Sequence, residues 1–142
     1  MHKNLILQKE RLIASLPDRV WTVLTNNEYI EQWLGVKMIT NWQVGSPIAF
    51  TIVWKDKEIK DKGAILEFDP GKKFTYNYWS VFSAMPDSPE YYSVISFNLV
   101  PESNSTLLRL TQTNFSTHQQ YTHSDKHWEE TLDVIRNLAE AE

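Results

Sequence analysis

Cysteine is absent from the 142 residues. Its absence excludes disulfide scaffolds, thiolate nucleophiles and cysteine-ligated zinc or iron–sulfur centres together, and it suits a reducing compartment. Glycine is scarce, with four residues far apart, so there is no glycine-rich loop to cradle a phosphate. Long apolar runs are missing too. The one that opens "KNLILQKERLIASL" is broken by charges within a few residues, too short for a signal-peptide core or a membrane span. Basic residues are outnumbered, 14 Lys and Arg against 18 Asp and Glu, and they are scattered. A nucleic-acid surface needs them clustered, so that partner is set aside. The expectation is a cytoplasmic protein.

Aromatic residues are plentiful: six Trp, six Tyr and six Phe make 13% of the chain. They supply large area with few rotatable bonds, which suits a stiff core or the walls of a cavity. The length fits one domain, residues 1–142, able to bury well over half of its unfolded surface.

Along the chain, "LILQKERLIA" suits a first strand. Ser15 offers a helix cap, Pro17 falls in a first turn where its missing N–H costs nothing, and Asp18 stands at the capping-box position. The spacing of Val20, Trp21 and Leu24, then Tyr29, Ile30, Trp33 and Leu34, predicts two short helices meeting at Asn26 and ending at Gly35. Ile48, Phe50, Ile52 and Trp54 alternate as in a strand, and the charged "KDKEIKDK" after them reads as a hairpin tip. "GAILEF" resumes the sheet, "DPGKK" turns it, and Phe74, Tyr76 and Tyr78 share a strand face. Past a loop with Pro86 and Pro89, Tyr91, Ser93, Ile95, Phe97 and Leu99 share another, and Leu108, Leu110 and Gln112 a third. The hairpins predict an antiparallel meander with one wet face. The terminal helix cannot bury its apolar stripe alone, so it must lie across the sheet.

That order, with these residues, resembles the START-like helix-grip superfamily (SRPBCC), in particular its heat-shock-protein-90 ATPase activator homologue branch. The resemblance is carried by "ASLPDRVWTVLTNNEYIEQWLG", "GAILEFDPGKKFTYNYW", "STLLRLTQTNF" and "HWEETLDVIRNL", which together span nearly the whole chain in order. Two positions depart from the family pattern. His127-Trp128 stands where the family often has Gly-Trp, and Gln112 where many members carry a histidine. The resemblance implies an α+β helix-grip fold: a curved antiparallel sheet of about six strands around a long C-terminal helix, with two short helices after the first strand and a cavity between sheet and helix. It also implies three possible employments: binding of an apolar or aromatic small molecule, cyclase- or hydratase-type catalysis in the same cavity, or stimulation of a chaperone ATPase through the outer sheet face. A homodimer is compatible with the fold.

The terminal stretch "HSDKHWEETLDVIRNLAEAE" poses a choice between a metal site and a lid. Trp128, Leu132, Ile135 and Ala139 cluster in one helical direction, and His123, His127 and Glu130 cluster well over a quarter-turn away. The trio has metal-ligand spacing, but His-Ser-Asp-Lys-His lacks the glutamate that metalloproteases set beside the first histidine. A catalytic metal also wants a shaped, dry cavity. The expectation is a solvated face with the imidazoles looking away, and neither metal nor cofactor. For the cavity, the candidate lining is Trp33, Phe50, Trp54, Tyr76, Tyr78, Tyr91, Phe97, Gln112, Trp128, Leu132 and Ile135, with Tyr76, Tyr78 and Gln112 orienting a small hydrophobic or aromatic ligand. Asp61, Asp87 and Glu90 read as loop residues, and Glu67 as a solvent-facing strand residue.

Overall fold

The computed structural model describes residues 5–141, with the side chains of residues 52 and 54 outside the described set. Strand β1 (Leu7–Ile13) is followed by helices α1 (Pro17–Thr25) and α2 (Asn27–Leu34). Then come strands β2 (Lys37–Ile39), β3 (Pro47–Trp54), β4 (Lys57–Asp69), β5 (Lys73–Trp79), β6 (Ser93–Glu102) and β7 (Ser105–Thr113), and finally helix α3 (His118–Glu140). The seven strands form one antiparallel sheet in the order β1-β7-β6-β5-β4-β3-β2. The architecture is the helix-grip arrangement the sequence implies, with one strand more than the expected six.

The extra strand is β2, three residues long and too short to show a period. It persists because Asn27 imitates a further strand: its amide donates to the Met38 carbonyl and accepts from the Met38 N–H, both at 3.0 Å. That occupies one edge of the sheet, which would otherwise expose unpaired backbone.

Local signals hold at the helix pair. Asn26 accepts from the Glu28 N–H and so caps α2, and Gly35 closes it at φ 84°, a left-handed conformation that glycine adopts without strain. The first cap differs from expectation. Residue Leu16, not Ser15, occupies the cap of α1, and no side chain bonds there. Ser15 instead accepts from the Thr106 hydroxyl at 2.8 Å, tying β1's end to β7.

The charged octapeptide is not a tip. The turn is Lys55-Asp56 alone, both at positive φ (51° and 62°), and β4 begins at the next residue. Such a turn matches the right-handed twist of the strands it joins. The first residues of β4 are mostly exposed and a carboxylate, Asp61, takes an inward position, so the polar–apolar contrast that marks a strand is weak there. Further along, a bulge between Ile65 and Glu67 breaks the alternation again and leaves Leu66 exposed.

Helix α3 starts at His118, earlier than the apolar stripe suggests. Thr117 accepts from the Gln120 N–H, and Gln120 reaches back to accept from the Ser116 N–H. Its stripe, Trp128, Leu132, Ile135 and Ala139, is buried in one continuous core with the inner faces of the strands and with α1 and α2. At the far end of that core Trp42 packs on Phe68 and Phe74, ring centroids 6.1 and 5.6 Å away.

Candidate functional site

Helix α3 is held unevenly. Its C-terminal half is clamped from both sides: Arg19 of α1 donates to the Leu138 carbonyl, and Glu140 accepts from the Ala14 N–H. On the β1 side, Lys9 and Arg11 take inward positions between buried Leu7 and Ile13. Lys9 pairs with Asp125 and Glu129 at 2.8 Å, and Arg11 pairs with Glu129 and with Asp133 at 3.0 Å. The three carboxylates recur every four residues, so they form one row along the helix. This row fixes how the helix is rotated. Burial pulls the Lys9 ammonium down, but hydrogen bonds to Asp125 and Glu129 outweigh it and leave it raised. The same bonds, from Lys9 and Arg11, hold the Glu129 carboxyl at about 2.

The flank of α3 away from β1, over its first half only, has no such seal. A cleft of about 570 Å³ opens there between α3, the strands β3, β5, β6 and β7, the end of α2, and the loop after β5. No α3 residue beyond Trp128 lines it. The size falls within the usual range for small-molecule sites.

Its floor is aromatic and sparsely polar. Phe50 meets Tyr78 edge-on at 5.0 Å, and Tyr76 lies 5.8 Å from Phe50. Tyr76 is 2% exposed, and its hydroxyl has no hydrogen-bond partner among the described residues. That hydroxyl is not sealed off; it opens to the cleft. Burial pushes it well above the ordinary tyrosine range, with Tyr78 adding to the shift. Burial also raises Tyr78, whose hydroxyl donates to Asp61 at 2.5 Å. Gln112 is 5% exposed and accepts from the Trp128 indole at 2.8 Å.

Asp61 corrects the sequence reading. It is not a loop residue: it lies on β4 and is 1% exposed. Besides Tyr78 it accepts from the Val81 N–H at 2.9 Å, and so ties the loop after β5 to the sheet. Ile59, Asp61, Gly63 and Ile65 alternate, and that alternation is the signal that could have placed Asp61 inward. The loop itself brings Ser80, Phe82 and Met85 to the rim, none of them expected. A bond from the Trp79 indole to the Met85 carbonyl and a Lys62–Asp87 pair at 2.6 Å hold it in place. Glu67 is exposed on its strand as expected, pairing with Lys73.

Of the candidate residues, Phe50, Tyr76, Tyr78, Tyr91, Gln112 and Trp128 border the cleft. Trp33, Phe97, Leu132 and Ile135 do not: they belong to solid core. The reason is Phe97, which contacts Trp33 and Trp128 edge-on at 5.8 Å each and fills the space between α2, α3 and the sheet. Trp33 spends its indole N–H on the Val23 carbonyl. The side chain of Trp54 lies outside the described residues.

The histidines need a second correction. His123, His127 and Glu130 are exposed, as helical arithmetic places them, but the two imidazoles do not look away. Both border the cleft mouth, parallel to each other with centroids 6.1 Å apart. A flank a quarter-turn from the buried stripe is solvent on a closed helix; here that flank faces the gap. Burial lowers His127, the neighbouring His123 lowers it further, and Glu130 opposes. Among the described residues no group of three or more His, Cys, Asp or Glu is placed to hold a metal.

A long C-terminal helix gripped by an antiparallel sheet, solid at one end and hollow at the other, defines a helix-grip domain. Within that class the chain belongs to the family of Activator of Hsp90 ATPase homolog 1-like proteins, whose sequence model matches residues 14–140. Its structure is similar to that of ChR145 from Cytophaga hutchinsonii, at 31% identity over 99% of this chain and 97% of that one, with a TM-score of 0.84. It is also similar to MLL2253 from Mesorhizobium loti (24% identity, 94% and 96% covered, TM-score 0.79). A third likeness is to the Aha1 dimer from Colwellia psychrerythraea (19%, 96% and 96%, 0.74). At those last two identities the likeness speaks for the fold alone. No curated protein matches the chain. No described helix is long and apolar enough to cross a membrane.

Proposed function

We infer that the protein holds a small, largely apolar aromatic molecule in the cleft between the sheet and the first half of α3. The observation that carries this reading is Tyr76: a buried hydroxyl without a partner among the described residues, opening into a hollow floored by aromatic rings. A buried polar group left unpaired costs about 1–3 kcal/mol, towards the low end where it opens to a cleft, and a bound molecule that accepts from it removes that cost. Burying ~200 Å² of apolar ligand surface contributes roughly 5 kcal/mol before ordering costs. Tyr76 and Tyr78 stay protonated at ordinary pH, because burial raises both. That suits hydrogen bonding better than proton transfer and favours a container over a cyclase.

Native mass spectrometry of freshly purified protein tests the reading, with Nile red titration as its complement. A co-purified small molecule, or saturable Nile red binding lost when Ser124→Trp fills the cleft, supports it. Neither being seen would sink it. A second reading, a module that stimulates a chaperone ATPase, is favoured by the family match over residues 14–140. Stimulation of such an ATPase that survives Ser124→Trp would move the function to another surface.

A further inference from the structure

Gln112 lies on the cleft floor with its amide oriented by a single contact. An indole N–H donates and cannot accept, so the 2.8 Å bond from Trp128 Nε1 requires the Gln112 carbonyl oxygen on that side. Glutamine orientation is otherwise ambiguous; here the tryptophan decides it. The amide nitrogen is left without a partner among the described residues and opens to the cleft. Tyr76 stands on the same cross-strand row, with Ile95 between them on β6. The unpartnered polar groups on this floor therefore both offer hydrogens, and the amide can offer nothing else.

Charge narrows the chemistry further. Among the described residues no Lys, Arg, Asp or Glu lines the cleft. The α3 carboxylates Asp125 and Glu129 are drawn to the opposite flank by Lys9 and Arg11. Asp61 is closed off by the Tyr78 hydroxyl and the Val81 N–H. The imidazoles of His123 and His127 stand at the mouth, and the floor offers only neutral donors. A carboxylate seated on the floor would therefore lose water and meet no permanent positive charge, which is strongly unfavourable.

We propose that the cleft selects an uncharged aromatic molecule bearing a carbonyl-type acceptor oxygen, directed at the Gln112 amide nitrogen, and that Trp128 sets this preference by fixing the amide. The proposal rests on the reading of the cleft as a ligand site. Flat tricyclic probes of nearly one shape separate its parts. 9-Fluorenone presents an acceptor, carbazole a donor, fluorene neither, and fluorenone-4-carboxylate adds a charge.

Calorimetric titration into the wild-type chain is expected to show fluorenone binding about tenfold tighter than carbazole or fluorene and at least about a hundredfold tighter than the carboxylate. In Trp128→Phe the amide is free to turn its oxygen inward, and the fluorenone-to-carbazole ratio is expected to fall to about one. If that variant fails to fold, the wild-type ratios decide alone. Equal binding of fluorenone and carbazole, or carboxylate binding as tight as the ketone, overturns this proposal while leaving the ligand-site reading in place. An unchanged ratio in folded Trp128→Phe removes Trp128 from it, and binding of none of the four probes overturns both readings.

Discussion

Replacing Tyr76 with phenylalanine separates a residue kept for a ligand from one kept for the fold. The ring is 2% exposed and packs on Phe50, Phe74 and Phe97 at centroid distances of 5.8, 5.1 and 6.5 Å. Phenylalanine keeps those contacts. What is lost is a hydroxyl with no partner among the described residues. Removing an unsatisfied group relieves up to about 1–3 kcal/mol; because this one opens to the cleft, the low end applies, about 1 kcal/mol. For a chain of this length that raises Tm by about 3 °C. Binding should move the other way, because a neutral hydrogen bond to ligand contributes about 1 kcal/mol, roughly fivefold in Kd. Differential scanning fluorimetry and calorimetric titration with 9-fluorenone measure both quantities on the same sample. Stability up with affinity down is the expected pair. A Tm that falls by several degrees would mean the hydroxyl has a structural partner, and the reasoning about the cleft would fail with it.

Three further outcomes are expected. Asp61→Ala removes the acceptor of the Tyr78 hydroxyl and the Val81 N–H; it should cost about 2 kcal/mol or more, and chymotrypsin should cut first within residues 80–91, which a protease-resistant loop would contradict. Gly63→Ala would put a methyl 2.0 Å from the Asn77 carbonyl oxygen and 3.0 Å from the Phe50 ring. A loss of about 3 kcal/mol, near 10 °C in Tm, is expected, and an unchanged melting curve would show that β4 and β5 do not approach as described. Glu129 is held at about 2, below its ordinary 4.5, so its ion pairs stabilise the fold above pH 4.5 and that contribution is lost as pH falls towards 2. Urea melts between pH 5 and 2.5 should fall more steeply for wild type than for Glu129→Gln, and 0.5 M salt should narrow the gap because these carboxylates are half exposed; parallel curves would refute it.

Much of the fold was legible because its signals are local. Asn26 caps a helix through its own side-chain oxygen and Gly35 stops it through its backbone conformation, and the alternation of Phe74, Tyr76 and Tyr78 follows from the period of a strand. At the start of β4 the inward row of Ile59, Asp61, Gly63 and Ile65 carries a carboxylate and a glycine where apolar residues would mark it. The contrast with the exposed lysines is therefore weak, and the segment reads as a turn, Asp61 as a loop residue. Half of the candidate site was legible for the same reason. Phe50, Tyr76, Tyr78, Gln112 and Trp128 could be assigned to inner faces from periodicity alone. Periodicity marks which side is inward; it says nothing of whether that side is filled.

From sequence alone, then, came the order of elements, the inward faces and the lack of any cysteine or phosphate-loop chemistry. Whether an inward residue meets packed atoms or a gap depended on how close two elements approach, and that distance is set by contacts between residues far apart in the chain. Lys9 and Arg11 on β1 rotate α3 through carboxylates more than a hundred residues away, and Phe97 fills the space between Trp33 and Trp128. The loop after β5 is pinned by Asp61 from across the hairpin. Together these long-range contacts leave one end of the helix solid and the other open, with both imidazoles at the mouth.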